Sequence, residues 1–282
     1  LAAGVVNNNG RLIRRSSLST PRTSSDEQLF EALVELLGPY RPFDRYRACG
    51  VGCSGPMTMG GELVSPLNIP AWRSFPIRER VTRLTGLTVG VDNDAKALAL
   101  AEGWVGAARS ASSYLGMVVS NGIGGGIVLN RRLLDGDAGN AGHIGQLIVS
   151  VPGHSPAEHL PHLVPGSLEA EASGAAIEVR TGHPPSEAKT AVIAEAGRMV
   201  GQAVASVANL LDLRLAVVAG SVALGFGEPF FAAAQAEMDR ICRVDYSRGA
   251  RIEPAGCGDE GPLIGAAAVG LRATGERPGG IS

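Results

Sequence analysis

The chain has 282 residues, 45% of them hydrophobic, which is enough for one large or two medium α/β domains with sizeable cores. A net charge of −2, with Lys96 and Lys189 the only lysines, argues against a nucleic-acid-binding surface. Glycine or charge breaks every apolar stretch well short of the roughly 20 residues a membrane span needs, and no Gly-x4-Gly-Lys-Ser/Thr run offers a Walker-type nucleotide site.

In chain order, apolar runs predict strands at Leu1–Val6 and Leu12–Ser17, then a helix at Asp26–Leu37 with Ser25 as its cap. A strand at Ala48–Cys53 leads into a Gly/Pro-rich loop reaching Trp72. A helix at Phe75–Thr85, a strand at Thr88–Asp92 and a helix at Ala95–Gly106 follow. The second half opens with a hairpin at Tyr114–Asn130, with loops at Asp135–Asn140 and His154–Pro165. Helices are expected at Glu169–Thr181 and Ser186–Leu211; in the latter, Val192, Ala196, Met199, Ala203 and Val207 share one face. A strand at Leu215–Ala219, a helix at Pro229–Ile241, a strand near Arg251–Pro254 and a small-residue helix near Gly261–Gly270 complete the pattern. No signal segment opens the chain. Cys49, Cys53, Cys242 and Cys257 show no disulfide framework, so a reduced, cytoplasmic setting is expected. The first residue is Leu1 and the first methionine Met57, so the chain is expected to be a fragment or the product of a non-standard start.

Two segments carry the chemistry. Val118–Val128 reads as strand–turn–strand, with Gly122, Gly124, Gly125 and Gly126 allowing backbone shapes closed to other residues. Successive N–H groups in such a turn can converge on a phosphate; the same residues also suit a tight β-turn. Upstream, a strand ends in Asp92-Asn93-Asp94 and an Ala/Leu-rich helix follows. Polar groups at a strand's carboxyl end are where α/β proteins bind ligands, and a carboxylate there can take a proton from a hydroxyl. Asn and Asp also serve as helix N-caps, so one of the acids could be only a cap.

With these two segments in this order, the chain resembles the ROK family (repressor, open reading frame, kinase) of bacterial sugar kinases and sugar-responsive repressors. The resemblance runs through Leu1–Val6, Gly50–Pro56, Ser65–Asn68, Asn93-Asp94, the glycine turn, Gly139–Gln146, Gly166–Gly174, Val217–Ser221 and the last helix. It implies an actin-like ATPase (ribonuclease H-like) fold, two α/β domains at 1–110 and 111–282 around a cleft for sugar and ATP. The last helix is a candidate to pack back on the N-terminal domain. Family members carry Asp-x-Gly-Gly-Thr just before the segment that begins at Leu1. The resemblance therefore implies that the first strand and a phosphate loop with a Mg²⁺-associated Asp are missing.

By resemblance, Asp94 is the general base for the attacking sugar hydroxyl. Asn93, Asn68, the backbone at Gly55, His143, Gln146 and Glu169 match sugar-binding positions. Asn121, where the family usually has Thr, falls with Gly122, Gly124 and Gly125 on the nucleotide side, and Gly220-Ser221 resembles an adenosine-side turn. The family's zinc cysteines fall at Leu160, His162 and Ser167, and Gln146 replaces a histidine that resembles a zinc ligand. Structural zinc is therefore expected to be absent, and His154, His159 and His162 fit no standard zinc spacing. The leading expectation is a glucokinase-like sugar kinase using ATP and Mg²⁺ on a hexose or N-acetyl hexosamine, impaired in this chain. The expected assembly is a homodimer. Two other readings stand beside it: the sugar-binding module of a ROK repressor, and a degenerate pseudokinase.

Overall fold

The computed structural model describes every residue except Arg22, Ser24, Asn68, residues 151–159, Pro161 and His162. The strands are β1 (Ala2–Val6), β2 (Leu12–Ser17), β3 (Cys49–Cys53), β4 (Val89–Asn93), β5 (Tyr114–Val119), β6 (Ile123–Leu129), β7 (Arg132–Leu133), β8 (Leu215–Ala219) and β9 (Arg251–Pro254). The α-helices are α1 (Asp26–Leu37), α2 (Ile77–Thr85), α3 (Asp94–Trp104), α4 (Leu168–Ala172), α5 (Gly174–Thr181), α6 (Thr190–Leu211), α7 (Ser221–Phe226), α8 (Glu228–Ile241) and α9 (Gly261–Ala273). Among the described residues no helix is long and apolar enough to cross a membrane.

Local chemistry sets the ends of these elements. Ser25 Oγ accepts the Gln28 N–H at 3.3 Å and so caps α1. Gly86, left-handed at φ 71°, ends α2 by returning its N–H to Thr82. The helix expected over Glu169–Thr181 is two helices. Ser173 is extended between them and its Oγ caps α5 through the Ala176 N–H. The expected turn at Gly220-Ser221 opens a short helix, α7, and the helix expected from Ser186 begins at Thr190 after a 3₁₀ turn at Pro185–Glu187.

The chain divides into two compact units. The first holds Leu1–Arg109, Arg131–Ala141 and Cys257–Ser282; the second holds Ser110–Asn130 and Gly142–Gly256. In the first unit, β1 and β2 form an antiparallel pair and β3 and β4 a parallel pair, in two separate sheets. The last helix, α9, packs closely on β3 and β4: a Cβ on Gly50 would lie 1.6 Å from the Ala266 carbonyl oxygen. Leu29, Phe30, Trp72, Phe75, Val81 and Val91 belong to this unit's core. In the second unit the strands run in the order β6-β5-β8-β9, with β5–β6 antiparallel and the other two pairings parallel. Of the apolar face expected on α6, Ala196 and Ala203 are buried, and Val192, Met199 and Val207 pack against the same core.

Lys96 centres a buried charge cluster of the first unit. Lys96, 2% exposed, lies 3.0 Å from Asp92 and 2.8 Å from Asp135, and donates to the Gly139 carbonyl at 3.0 Å. Arg272 bridges the same two acids at 3.5 and 3.3 Å. Burial pushes the Asp92 carboxyl up, with Lys96 opposing it. Burial would also raise Asp135, but the Lys96 and Arg272 hydrogen bonds and charges outweigh it and hold that carboxyl low.

Removing one partner from a buried ion pair typically costs about 3–5 kcal/mol. Lys96→Met is therefore expected to lower stability by about 3 kcal/mol in denaturant titration, and adding Asp92→Asn should recover part of that loss. Asp135, with its folded pKa below its unfolded one, contributes stability above the ordinary carboxylate range. That contribution disappears as pH falls below about 4. Asp135→Asn should therefore be less stable than the parent at pH 6, and the gap between them should narrow at pH 3 in matched titrations.

Candidate functional site

In the first unit, the parallel register sets Cys53 opposite Asn93, so the carboxyl ends of β3 and β4 lie side by side. Ligands of open α/β sheets bind at such strand ends. Asp94 is the first residue of α3 and is exposed. Its Oδ1 accepts the Ala95 N–H at 2.8 Å and its Oδ2 accepts the Ser54 hydroxyl at 3.2 Å. Asn93 is the N-cap, its Oδ1 taking the same Ala95 N–H at 2.9 Å; its amide nitrogen can still donate to a ligand. The cap and the candidate base are thus neighbouring residues, and Asp92 is the buried partner of Lys96. The Gly55 carbonyl accepts from Leu67 N at 3.3 Å, and Asn68 lies outside the described residues. Burial, with the Asp94 charge nearby, pushes the Cys53 thiol up to about 12, which makes it a poor nucleophile. Sequence reasoning passed over Ser54, although it lies within the Gly50–Pro56 stretch and β3–β4 pairing brings it to Asp94.

In the second unit, β5 and β8 are parallel with Val118 opposite Ala219, so the glycine hairpin and Gly220-Ser221 emerge at the same sheet edge. The Ser120 and Ser221 hydroxyls are 2.9 Å apart. The break between α4 and α5 has a role here: Gly174 N–H donates to Ser120 O at 2.8 Å and Ala175 N–H to Asn121 O at 3.2 Å. The hairpin turn is therefore held by the start of α5.

The hairpin glycines need a different explanation from the expected one. Only Ser120, Asn121 and Gly122 connect the strands; Gly124, Gly125 and Gly126 lie inside β6, opposite Val118, Met117 and Gly116. None of the four glycines has positive φ. At Gly122 and Gly125, close approach is what crowds a side chain. A Cβ on Gly122 would sit 2.5 Å from Glu169 Oε1, and one on Gly125 would sit 3.0 Å from the Gly142 carbonyl oxygen. Gly220 alone among the candidate glycines is left-handed, at φ 103°, and a Cβ there would lie 2.1 Å from the Val119 carbonyl oxygen.

Residues 142–146 pack onto β6. Exposed His143 precedes a 3₁₀ turn, Ile144–Gln146. Gln146 Nε2 donates to Glu169 Oε2 at 3.3 Å, and Glu169 Oε1 accepts the Ile123 N–H at 3.1 Å. One carboxylate thus joins the expected sugar-side residue Gln146 to the hairpin expected on the nucleotide side. Among the expected zinc positions, buried Ser167 caps α4 through the Ala170 N–H, and Leu160 packs against Leu163 and Ala170. His154, His159 and His162 lie outside the described residues. Among the described residues, no group of three or more His, Cys, Asp or Glu side chains could hold a metal.

A sequence profile of the ROK family matches residues 1–272. The chain belongs to the ROK family. It is 30% identical to an N-acetylmannosamine kinase of Yersinia pseudotuberculosis, over 95% of this chain and 93% of that one. A ROK hexokinase from Thermus thermophilus superposes with a TM-score of 0.81 at 30% identity, over 98% of this chain and 96% of that chain. A ROK glucokinase from Streptomyces griseus, solved with glucose and AMPPNP, gives 0.80 at 24% identity over 95% of each chain. The actin-like ATPase fold is the one shared with these ROK structures.

Among the candidate site glycines of this ROK chain, Gly220 is the least open to change. Gly220→Ala meets both a left-handed φ and the Val119 carbonyl oxygen. It should cost at least about 2 kcal/mol in unfolding titrations. Ser221→Ala, which removes one exposed hydroxyl contact, should stay within about 1 kcal/mol of the parent.

Proposed function

We propose that this ROK protein is an ATP-dependent carbohydrate kinase, moving the γ-phosphoryl group of ATP to a hydroxyl of a hexose or N-acetyl hexosamine in the cytoplasm. The observation that carries this reading is Asp94: an exposed carboxylate at a strand's carboxyl end, steered by Ser54 and Ala95 and followed by a buried helix. The 30% identity to a curated N-acetylmannosamine kinase and to a ROK hexokinase along nearly the whole chain supports it.

Under this reading Asp94 accepts the proton of the sugar hydroxyl as its oxygen attacks the γ-phosphorus. Asn93, Gly55, Asn68, His143, Gln146 and Glu169 bind the remaining hydroxyls, because each buried hydroxyl needs a partner. Glu169 has a second task, since its hold on the Ile123 N–H fixes the hairpin. Asn121, Gly122, Gly124 and Gly125 are assigned to the phosphates, and Gly220 and Ser221 to the adenosine. Mg²⁺, arriving with ATP, neutralises phosphate charge. No structural zinc is assigned, since Ser167 is spent on capping α4 and Leu160 on packing. Elemental analysis near one zinc per chain would contradict that.

Asp94→Asn is expected to lower phosphorylation by about 10²–10⁴, with sugar affinity by calorimetry within a few fold of the parent. ADP release with glucose, mannose, N-acetylmannosamine and N-acetylglucosamine reads both the activity and the sugar. Mutant turnover within about tenfold of the parent would remove Asp94 from the base role. A second reading, a sugar binder with poor turnover, draws on the two separate sheets of the first unit. Calorimetric sugar binding without ADP release in the parent would select it.

A further inference from the structure

The loop Asp135–Asn140 of the first unit is a small closed body. The Ala141 N–H returns to the Asp135 carbonyl at 3.0 Å, and Gly136 and Gly139 turn the chain in left-handed conformations at φ 74° and 83°. One side of this loop is tied to α3. Lys96 Nζ donates to Asp135 Oδ1 at 2.8 Å and to the Gly139 carbonyl at 3.0 Å, and Lys96 follows Asp94 by two residues. The other side is tied to the segment that leaves β3. Asn140 Nδ2 donates to the Met57 carbonyl at 2.8 Å, and Asn140 Oδ1 accepts the Met57 N–H at 3.3 Å. Nδ2 also donates to the Ala138 carbonyl at 3.1 Å, which braces the side chain from within its own loop. Met57 follows Ser54 by three residues.

The backbone at Met57 explains why an amide stands there. Met57 and Val64 form an antiparallel bridge, closed by Thr58 N–H to the Leu63 carbonyl and Ser65 N–H to the Pro56 carbonyl, both at 2.9 Å. In such a non-hydrogen-bonded pair, the N–H and C=O of the paired residue point away from the partner. Met57 is buried, so those two groups need partners on their far side. The Asn140 amide supplies one donor and one acceptor, the same pair that a peptide group of a neighbouring strand presents.

Ser54 and Asp94 are therefore tied together on both sides along the chain. Ahead of them is the β3–β4 ladder, with Cys53 opposite Asn93. After them is the loop, which joins Met57 to Lys96. The Ser54 hydroxyl meets Asp94 Oδ2 at 3.2 Å between these two ties. We infer that Asn140 is a positioning residue for Asp94: by holding Met57 it sets where the Ser54 hydroxyl stands, and so how the carboxylate is aimed. The inference rests on the kinase reading, in which Asp94 is the base. A reacting group misplaced by about 1 Å can cost on the order of 10²-fold in rate.

The test is a mutant cycle between Asn140 and Ser54, read by steady-state kinetics with ATP and the sugar that the parent turns over best. Asn140→Asp keeps the size of the side chain and the acceptor for Met57 N–H, but loses the donor to the Met57 carbonyl. Asn140→Ala and Asn140→Asp are each expected to lower kcat by about 10- to 100-fold, with KM within about threefold of the parent. In a Ser54→Ala background, Asn140→Ala should cost less than about threefold more, because the contact it serves is gone. Amide exchange at Met57, Ser65 and Leu67 should quicken at least about tenfold in Asn140→Ala. Ser25→Ala, which uncaps α1, is the control for lost stability: its melting midpoint should fall by a few degrees while kcat stays at the parental value. Independent, multiplying losses from Asn140→Ala and Ser54→Ala would overturn the inference and leave the kinase reading intact. So would an unchanged kcat, unchanged exchange at Met57, or an equal kcat loss in Ser25→Ala. A parent that turns over no sugar overturns the kinase reading, and this inference with it.

Discussion

The register of two parallel strand pairs places nearly all of the candidate chemistry in this protein. In the first unit, Cys53 lies opposite Asn93, which brings Ser54 and Asp94 within hydrogen-bond reach. In the second unit, Val118 lies opposite Ala219, which brings Ser120 to Ser221. Parallel strands have their carboxyl ends at the same edge, and helices beginning there offer free N–H groups. A slip of one residue would turn every side chain to the other face of its sheet. Packing guards against such a slip in the first unit, where Gly50 and Gly90 allow the α9 backbone to lie directly on β3 and β4.

The same strand end explains why three neighbouring polar residues have three fates. Asp92 is still in β4 and points into the protein, where only a partnered charge is tolerable, and Lys96 and Arg272 provide the partners. Asn93, the last residue of the strand, is half-buried and its side chain is turned to capping. Asp94, the first residue of the helix, is exposed and keeps an oxygen that meets only a hydroxyl. The acid two positions earlier is locked in an ion-pair ring and useless as a base. That ring also ties α3 to residues 135–139 and to α9, so the helix that carries Asp94 is fixed by charge as well as by packing.

Much of this was legible in the sequence where the signal is local. The strand–polar–helix pattern at Val89–Ala99 put Asn93 and Asp94 where a strand gives way to a helix, and the end of a buried strand marked Gly220-Ser221. What escaped was long-range. Nothing near Lys96 announces that Asp135 and Arg272 will reach it. Ser54 becomes notable only once β3 lies beside β4. The hairpin glycines were legible as a group, but their cause was not: sequence suggests turn geometry, whereas the structure shows Gly122 crowded by Glu169 and Gly125 by Gly142. The helix break at Ser173 was hidden because Glu169–Thr181 has good helical composition throughout. The gain that favours breaking it, two N–H groups donated to the hairpin turn, is made with residues some fifty positions away.

Two residues that depart from the family pattern have structural work that suits them. A metal-bound histidine usually donates its second ring N–H to a carboxylate or carbonyl. Gln146 stands at such a histidine position and donates its amide to Glu169. An amide offers the same kind of donor, although it is a poor zinc ligand beside imidazole or thiolate. Ser167 stands at a cysteine position, is fully buried, and caps α4, the helix that carries Glu169. A cysteine there would be a weaker cap, because its thiol is a poor acceptor. Both replacements act on Glu169, one by hydrogen bond and one through the helix that bears it. Hydrogen bonds from Gln146 and Ile123, with the Ser167 cap, hold the Glu169 carboxylate against the hairpin.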